Sequence, residues 1–175
     1  MKRTILKHLH RPLQLIPAAL RPCGLLITGT THVVSRRIKF NTNCAYDLQS
    51  EDQYDWNKLF GVCFGLTGIH RNSLRFGWRY SKDKHNIELC TIVYREDSTV
   101  ERKHIDDIAL NQWGEFELTF RVEPYYVMYN FVINGRTVLF GAMPTPPAMT
   151  FWGCGLYFGG NRRAPHRITV NIDAR

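Results

Sequence analysis

Tyr125-Tyr126-Val127-Met128-Tyr129-Asn130-Phe131-Val132-Ile133-Asn134-Gly135-Arg136-Thr137-Val138-Leu139-Phe140-Gly141 reads as a β-hairpin. Two runs rich in aromatic and β-branched residues flank Asn-Gly. Both central residues of a type I′ turn need positive φ, which Asn and Gly adopt readily. Just upstream, Glu115–Val122 alternates without a break. Phe116, Leu118, Phe120 and Val122 share one face, and Glu115, Glu117, Thr119 and Arg121 share the other, so one face meets a core and the other meets water. Near the end of the chain Ile168, Val170 and Ile172 alternate with Thr169, Asn171 and Asp173 in the same way.

Outward from these segments the period of two continues from Thr31, with turn residues about every 8–12 positions, the pattern of an all-β sandwich or barrel. The predicted strands are His32–Phe40, Cys44–Asp47, Leu59–Leu66, Ser73–Tyr80, Asn86–Tyr94, Thr99–His104, Glu115–Val122, Tyr125–Ile133, Arg136–Gly141, Thr150–Phe158 and His166–Asp173. Ile105–Leu110 reads as a single helical turn.

A chain of 175 residues with 44% hydrophobic and 13% aromatic residues buries a core as one domain and is not a disordered polymer. No stretch reaches the ~18 consecutive apolar residues of a membrane span. The net charge of +8 comes from the first 46 residues, which hold Lys2, Arg3, Lys7, Arg11, Arg21, Arg36, Arg37 and Lys39 and no acid. The expected division is therefore a basic, Pro-containing arm over residues 1–30 and a sandwich domain over residues 31–175. His8, His10, Arg11, Gln14 and Arg21 interrupt any apolar signal core, so no conventional signal peptide is read. The expectation is a chain that stays inside the cell or is assembled into a particle. The arm has no aromatic ring before Phe40 to stack on a base, so nucleic acid would be met only through its charge. Five widely spaced cysteines show no zinc-ligand spacing, and Cys63, Cys90 and Cys154 read as small buried side chains in strands. No metal or cofactor is implied.

Leu74, Phe76, Trp78 and Tyr80 alternate with Ser73, Arg75, Gly77 and Arg79. The period puts the two arginines on the solvent side of a strand, with Gly77 leaving room between them, as a floor for an anionic or hydroxyl-rich ligand. Asp55-Trp56-Asn57-Lys58 enters a strand, and Gly68-Ile69-His70-Arg71-Asn72 forms a polar loop. Rings on rigid loops stack on sugar faces, and Asn or Arg donors bind hydroxyls. In Gly155-Leu156-Tyr157-Phe158-Gly159-Gly160-Asn161-Arg162-Arg163-Ala164-Pro165-His166 a strand ends at Phe158, Gly-Gly permits a sharp bend, and a further set of polar side chains is presented before Pro165. No strand carries the E-x-D-x-E carboxylates of sandwich glycosidases, no phosphate loop or nucleophile elbow is found, and His70, His104 and His166 stand alone. No catalytic residue is assigned.

The Tyr125–Phe140 hairpin of the type Y-x-F-x-I-N-G-R, the antiparallel ladder and Tyr157-Phe158-Gly159-Gly160-Asn161 before the last strand resemble the concanavalin A-like lectin/glucanase superfamily over residues 31–173. The resemblance implies an antiparallel jelly-roll β-sandwich of the concanavalin-like kind. Alginate-lyase-like members of that superfamily carry R-x-E-L-R, Q-I-H and Y-F-K-x-G-x-Y-x-Q. Arg75-Phe76-Gly77-Trp78-Arg79 keeps only the two arginines. Ile69-His70 comes before that strand instead of after it, and Tyr157-Phe158-Gly159 lacks the lysine and the second tyrosine. The resemblance therefore implies the fold and not lyase activity.

The leading expectation is a non-catalytic, lectin-like sandwich that binds carbohydrate or an anionic glycan through Trp56, Asn57, His70, Asn72, Arg75, Arg79, Asn161, Arg162 and His166. One alternative is a structural or assembly module that meets a second copy or a neighbour. The other is a polysaccharide-cleaving enzyme, lyase or glycosidase, which would need Tyr, His and Arg gathered on one face.

Overall fold

Alternation gives segments such as Glu115–Val122 and Ile168–Asp173 one apolar face, and two sheets close their apolar faces on each other in the computed structural model, which describes residues 2–5, 23–65, 70–160 and 163–174. The strands are β1 (Lys2–Ile5), β2 (Cys23–Leu25), β3 (Thr31–Phe40), β4 (Asn57–Phe64), β5 (Ser73–Ser81), β6 (Asn86–Tyr94), β7 (Val100–Ile108), β8 (Trp113–Val122), β9 (Tyr126–Ile133), β10 (Arg136–Pro144), β11 (Thr150–Cys154) and β12 (Ile168–Ala174). They form two six-stranded sheets in the orders β1-β12-β3-β8-β9-β10 and β2-β11-β4-β5-β6-β7, every pairing antiparallel. No α-helix occurs among the described residues.

Phe116, Leu118, Phe120 and Val122 of β8 and Ile168, Val170 and Ile172 of β12 are buried, as their alternation requires. Phe76 of the second sheet meets Phe116 and Phe131 of the first edge-to-face at 5.3 and 4.9 Å, which ties the sheets together at the centre. The hairpin has the expected turn: Asn134 and Gly135 have φ of 49° and 77°. The Asn134 side chain also accepts a hydrogen bond from the Glu115 amide at 2.9 Å, which joins the turn to β8.

Three expectations change. Cys44–Asp47 is not a strand. Thr42–Cys44 forms a 3₁₀ turn instead, because Asn43 turns its side chain to the Thr169 amide and hydroxyl at 3.0 and 3.1 Å and takes the chain out of extended geometry. Ile105–Leu110 is not helical. β7 runs on to Ile108, and Asp106 and Asp107 are held by Arg136 at 2.8 Å and Lys84 at 3.0 Å, so their charge stabilises an edge strand. Thr150–Phe158 stops pairing as a strand at Cys154, and Tyr157 makes only an isolated bridge to Lys58. Within the first thirty residues, Lys2–Ile5 pairs with β12 and Cys23–Leu25 with β11 at the sheet edges.

Candidate functional site

The registers of β11, β4, β5, β6 and β7 lay out the outer face of the second sheet row by row. Gly61 of β4 lies opposite Cys154 of β11 and Arg75 of β5, and Arg75 lies opposite Ile92 of β6, which pairs with Arg102 of β7. The next row carries Lys58, Gly77, Cys90 and His104. A bulge between Lys58 and Phe60 turns the Lys58 side chain to this face while Phe60 stays in the core. The row beyond carries Arg79, Glu88 and Asp107. On the other side lies a row of Trp152, Cys63, Ser73, Tyr94 and Val100. Cations and rings are thus interleaved over several strands.

Rings lie against most of these cations. The Arg79 guanidinium sits 4.2 Å from the Trp56 ring, Lys58 Nζ 5.6 Å from Tyr157 and the Arg75 guanidinium 5.8 Å from Tyr94. His70 meets Tyr94 edge-on at 5.5 Å. Cys90, Ile92 and Tyr94, with Trp56 and Val100 against them, form a small apolar strip separate from the main core. Burial, followed by the charges of Arg75 and Arg102, holds the Lys58 amine below its usual range. Burial, followed by Arg75 and Lys58, likewise lowers His70, so its imidazole resists protonation. One imidazole and one amine that give up protons easily thus stand near fixed guanidinium charge.

The acids on this face are already paired. Glu88 accepts from Arg79 at 2.7 Å and from Lys84 at 3.1 Å, and Asp107 from Lys84 at 3.0 Å and His104 at 2.8 Å. Burial works to raise the Glu88 carboxyl, but Arg79 and Lys84 hold it below the ordinary range. Glu88, His104 and Asp107 have ligand atoms within 4.8 Å of one another, yet Arg79 and Lys84 already neutralise them. With those acids occupied, Lys58 and Arg102 keep this face positive, and Arg75 adds its charge from within the packed surface.

The structure brings Trp56, Arg75, Arg79 and His70 to this one face. Arg75 takes the expected side of the strand but is 2% exposed, packed among its neighbours rather than spread in solvent. The room expected above Gly77 is already used: a Cβ there would lie 2.6 Å from Cys90 Sγ and 2.8 Å from Ile92 Cδ1. Asn57 is buried, donating to the Tyr46 hydroxyl at 2.9 Å and accepting from the Gly159 amide at 2.6 Å, so it anchors the segment that carries Tyr157. Asn72 is buried at the start of β5, where its carbonyl accepts from the Phe64 amide. His166 lies 2.8 Å from the Asn43 carbonyl in a cleft with Tyr46, Tyr80 and Lys82. Asn161 and Arg162 lie outside the described residues, as do the loop positions 66–69. Sequence reasoning missed Lys58, Tyr94, Tyr157 and Arg102. The alternation Glu88-Cys90-Ile92-Tyr94 pointed to Tyr94, whereas the bulge that presents Lys58 has no signal in the period of two.

No family model matches the sequence, and no curated protein matches it. Among solved structures, an alginate lyase from Pseudomonas aeruginosa superposes with a TM-score of 0.53 at 12% identity, over 82% of this chain and 61% of that one. A marine family-PL7 alginate lyase from Zobellia galactanivorans gives 0.53 at 14%, over 88% of this chain and 65% of that one. The chain thus spans somewhat less than two thirds of each. At such identity the likeness is one of fold, and the fold is the concanavalin A-like jelly roll.

Proposed function

We propose that the protein binds an acidic polysaccharide across the outer face of β4 to β7. The observation that carries this reading is that Lys58 and Arg102 stand on a sheet face that also carries Trp56, Tyr94 and Tyr157, while Glu88 and Asp107 on the same face are already paired. Guanidinium groups bind carboxylates or sulfates through paired donors, and rings stack on sugar faces. A rigid sheet also fixes both kinds of contact without ordering a loop. Both superposed alginate lyases support a carbohydrate ligand by analogy of fold.

A second reading, that the bound chain is also cleaved, is favoured by the nature of those neighbours and by one local feature. His70, lowered by burial and by Arg75 and Lys58, is a base beside guanidinium charge.

The test is retention on immobilised alginate, polygalacturonate and heparin against neutral dextran. The wild type is expected to hold the acidic chains and not dextran, and to release them near 1 M salt, where the screening length falls to about 3 Å. Arg102→Ala, at an exposed position, should weaken binding by about tenfold, the loss of about one charge-assisted contact. Equal retention on dextran would sink the reading. Cleavage is tested separately by chain length after incubation; unshortened polymer that remains bound discards the enzyme and keeps the binder.

A further inference from the structure

Four cysteines are free and buried among the described residues: Cys44, Cys63, Cys90 and Cys154. Two of them are unlike the others. In the β4–β11 ladder Cys63 lies opposite Trp152, and Cys154 opposite Gly61, so Cys63 and Cys154 are diagonal neighbours with both side chains on the outer face. Their thiols are hydrogen-bonded to each other. Across β4, Gly61 separates Cys154 from Arg75 in the same row and contributes no side chain. The guanidinium therefore reaches over the glycine and hydrogen-bonds the Cys154 sulfur. The bond to Cys63 and the charge of Arg75 pull the Cys154 thiol down against its burial, while Cys63 is pushed up. Cys44, buried without a cation, is raised to about 12, and Cys90 is raised too.

The diagonal register bears on what such a pair can do. A disulfide needs Cα atoms within about 4.4–6.8 Å, and diagonal partners in an antiparallel ladder are about 7–8 Å apart. An S–S bond would have to pull the strands out of register. A single bridging ion meets no such limit, since metal–thiolate bonds of about 2.3 Å span sulfurs that are in contact but not bonded. Coordination number selects the ion. The three-residue ligand group found among the described residues is Glu88, His104 and Asp107, so the two thiols gain no third or fourth protein ligand. Zinc asks for four ligands, whereas soft thiolates favour copper(I). Charge closes as well: two thiolates, one monovalent cation and one guanidinium sum to zero, which suits a site only 6–7% exposed.

We propose that Cys63 and Cys154 form a two-coordinate site for copper(I), with Arg75 as its counter-charge. Binding releases the thiol protons to solvent and involves no change of oxidation state. The inference is independent of the polysaccharide reading.

The test is anaerobic titration of the full chain with copper(I) held by bicinchoninate, with zinc(II) as comparator. One equivalent of copper(I) should leave the chelator, with no retention of zinc. Cys63→Ser or Cys154→Ser should abolish the transfer, and Cys44→Ser and Cys90→Ser should leave it intact. Arg75→Gln should weaken it by about 10–100-fold, as expected for loss of a group that tunes the ligands. A second measurement needs no variant: copper(I) should protect Cys63 and Cys154 from iodoacetamide, read by peptide mass spectrometry. Transfer unchanged in Cys63→Ser/Cys154→Ser, protection falling on other cysteines, or zinc held as tightly would overturn the proposal.

Discussion

At the scale of single residues, burial and neighbouring charge decide the chemistry more than residue type does. His32, stacked at 4.9 Å on Phe120, and His70 both have pKa values held below 6.5, in each case chiefly by burial. In the unfolded chain they take up protons near 6.5, so below that value the unfolded state binds more protons than the folded one. Stability is then complete above pH 6.5, and it falls as the pH drops from 6.5 toward the folded values. The unfolding midpoint should show this slope before any carboxylate titrates, and His32→Asn/His70→Asn should flatten it; an unchanged slope would mean that other groups carry the acid sensitivity. Residue-scale legibility was uneven for a related reason. Arg75 and Arg79 were placed on the right face by alternation alone. That Arg75 is packed, and that Asn57 points inward to Tyr46 and Gly159, depends on neighbours from distant strands that no local pattern encodes.

At the scale of elements, turn chemistry and close strand approach are the strongest constraints. Gly135 has positive φ in the β9–β10 turn, so Gly135→Ala should lower stability by about 1 kcal/mol while the fold survives. Gly61→Ala is different in kind: its Cβ would run into the Leu74 carbonyl oxygen and Arg75 Cα, both backbone, and neither can move without parting β4 from β5. Chemical denaturation of the two variants side by side should find the first mildly weakened and the second unfolded or insoluble. A well-folded Gly61→Ala would show that the β4–β5 spacing has slack. Strands were legible wherever alternation was long, as in β8 and β12. They were misread where a local bond or an ion pair outweighed it. Asn43 curls Thr42–Cys44 away from extended geometry, and paired Asp106 and Asp107 keep an otherwise helix-like stretch in β7.

At the scale of the whole molecule, the sandwich depends on rings that cross between sheets. Phe76→Ala removes contacts to Phe60 at 5.1 Å in its own sheet and to Phe116 and Phe131 opposite. The expected loss is about 3–5 kcal/mol, a large part of the ~5–15 kcal/mol that holds a typical domain folded, and a thermal melt reads it directly. A loss under 1 kcal/mol would mean that the core closes over the gap. The class of fold was legible because period two is local; the order of strands was not, because β3 pairs with β8 and β12, and β4 with β11. Those pairings also set a timetable. The edges of β3 and β4 are covered by β12 and β11, made from residues 168–174 and 150–154, so a growing chain carries two open strand edges until those residues are made. Pairing across such long loops is slow, and open edges recruit other chains. Crowded synthesis, more than heat, is the condition under which this molecule is most exposed to misassembly.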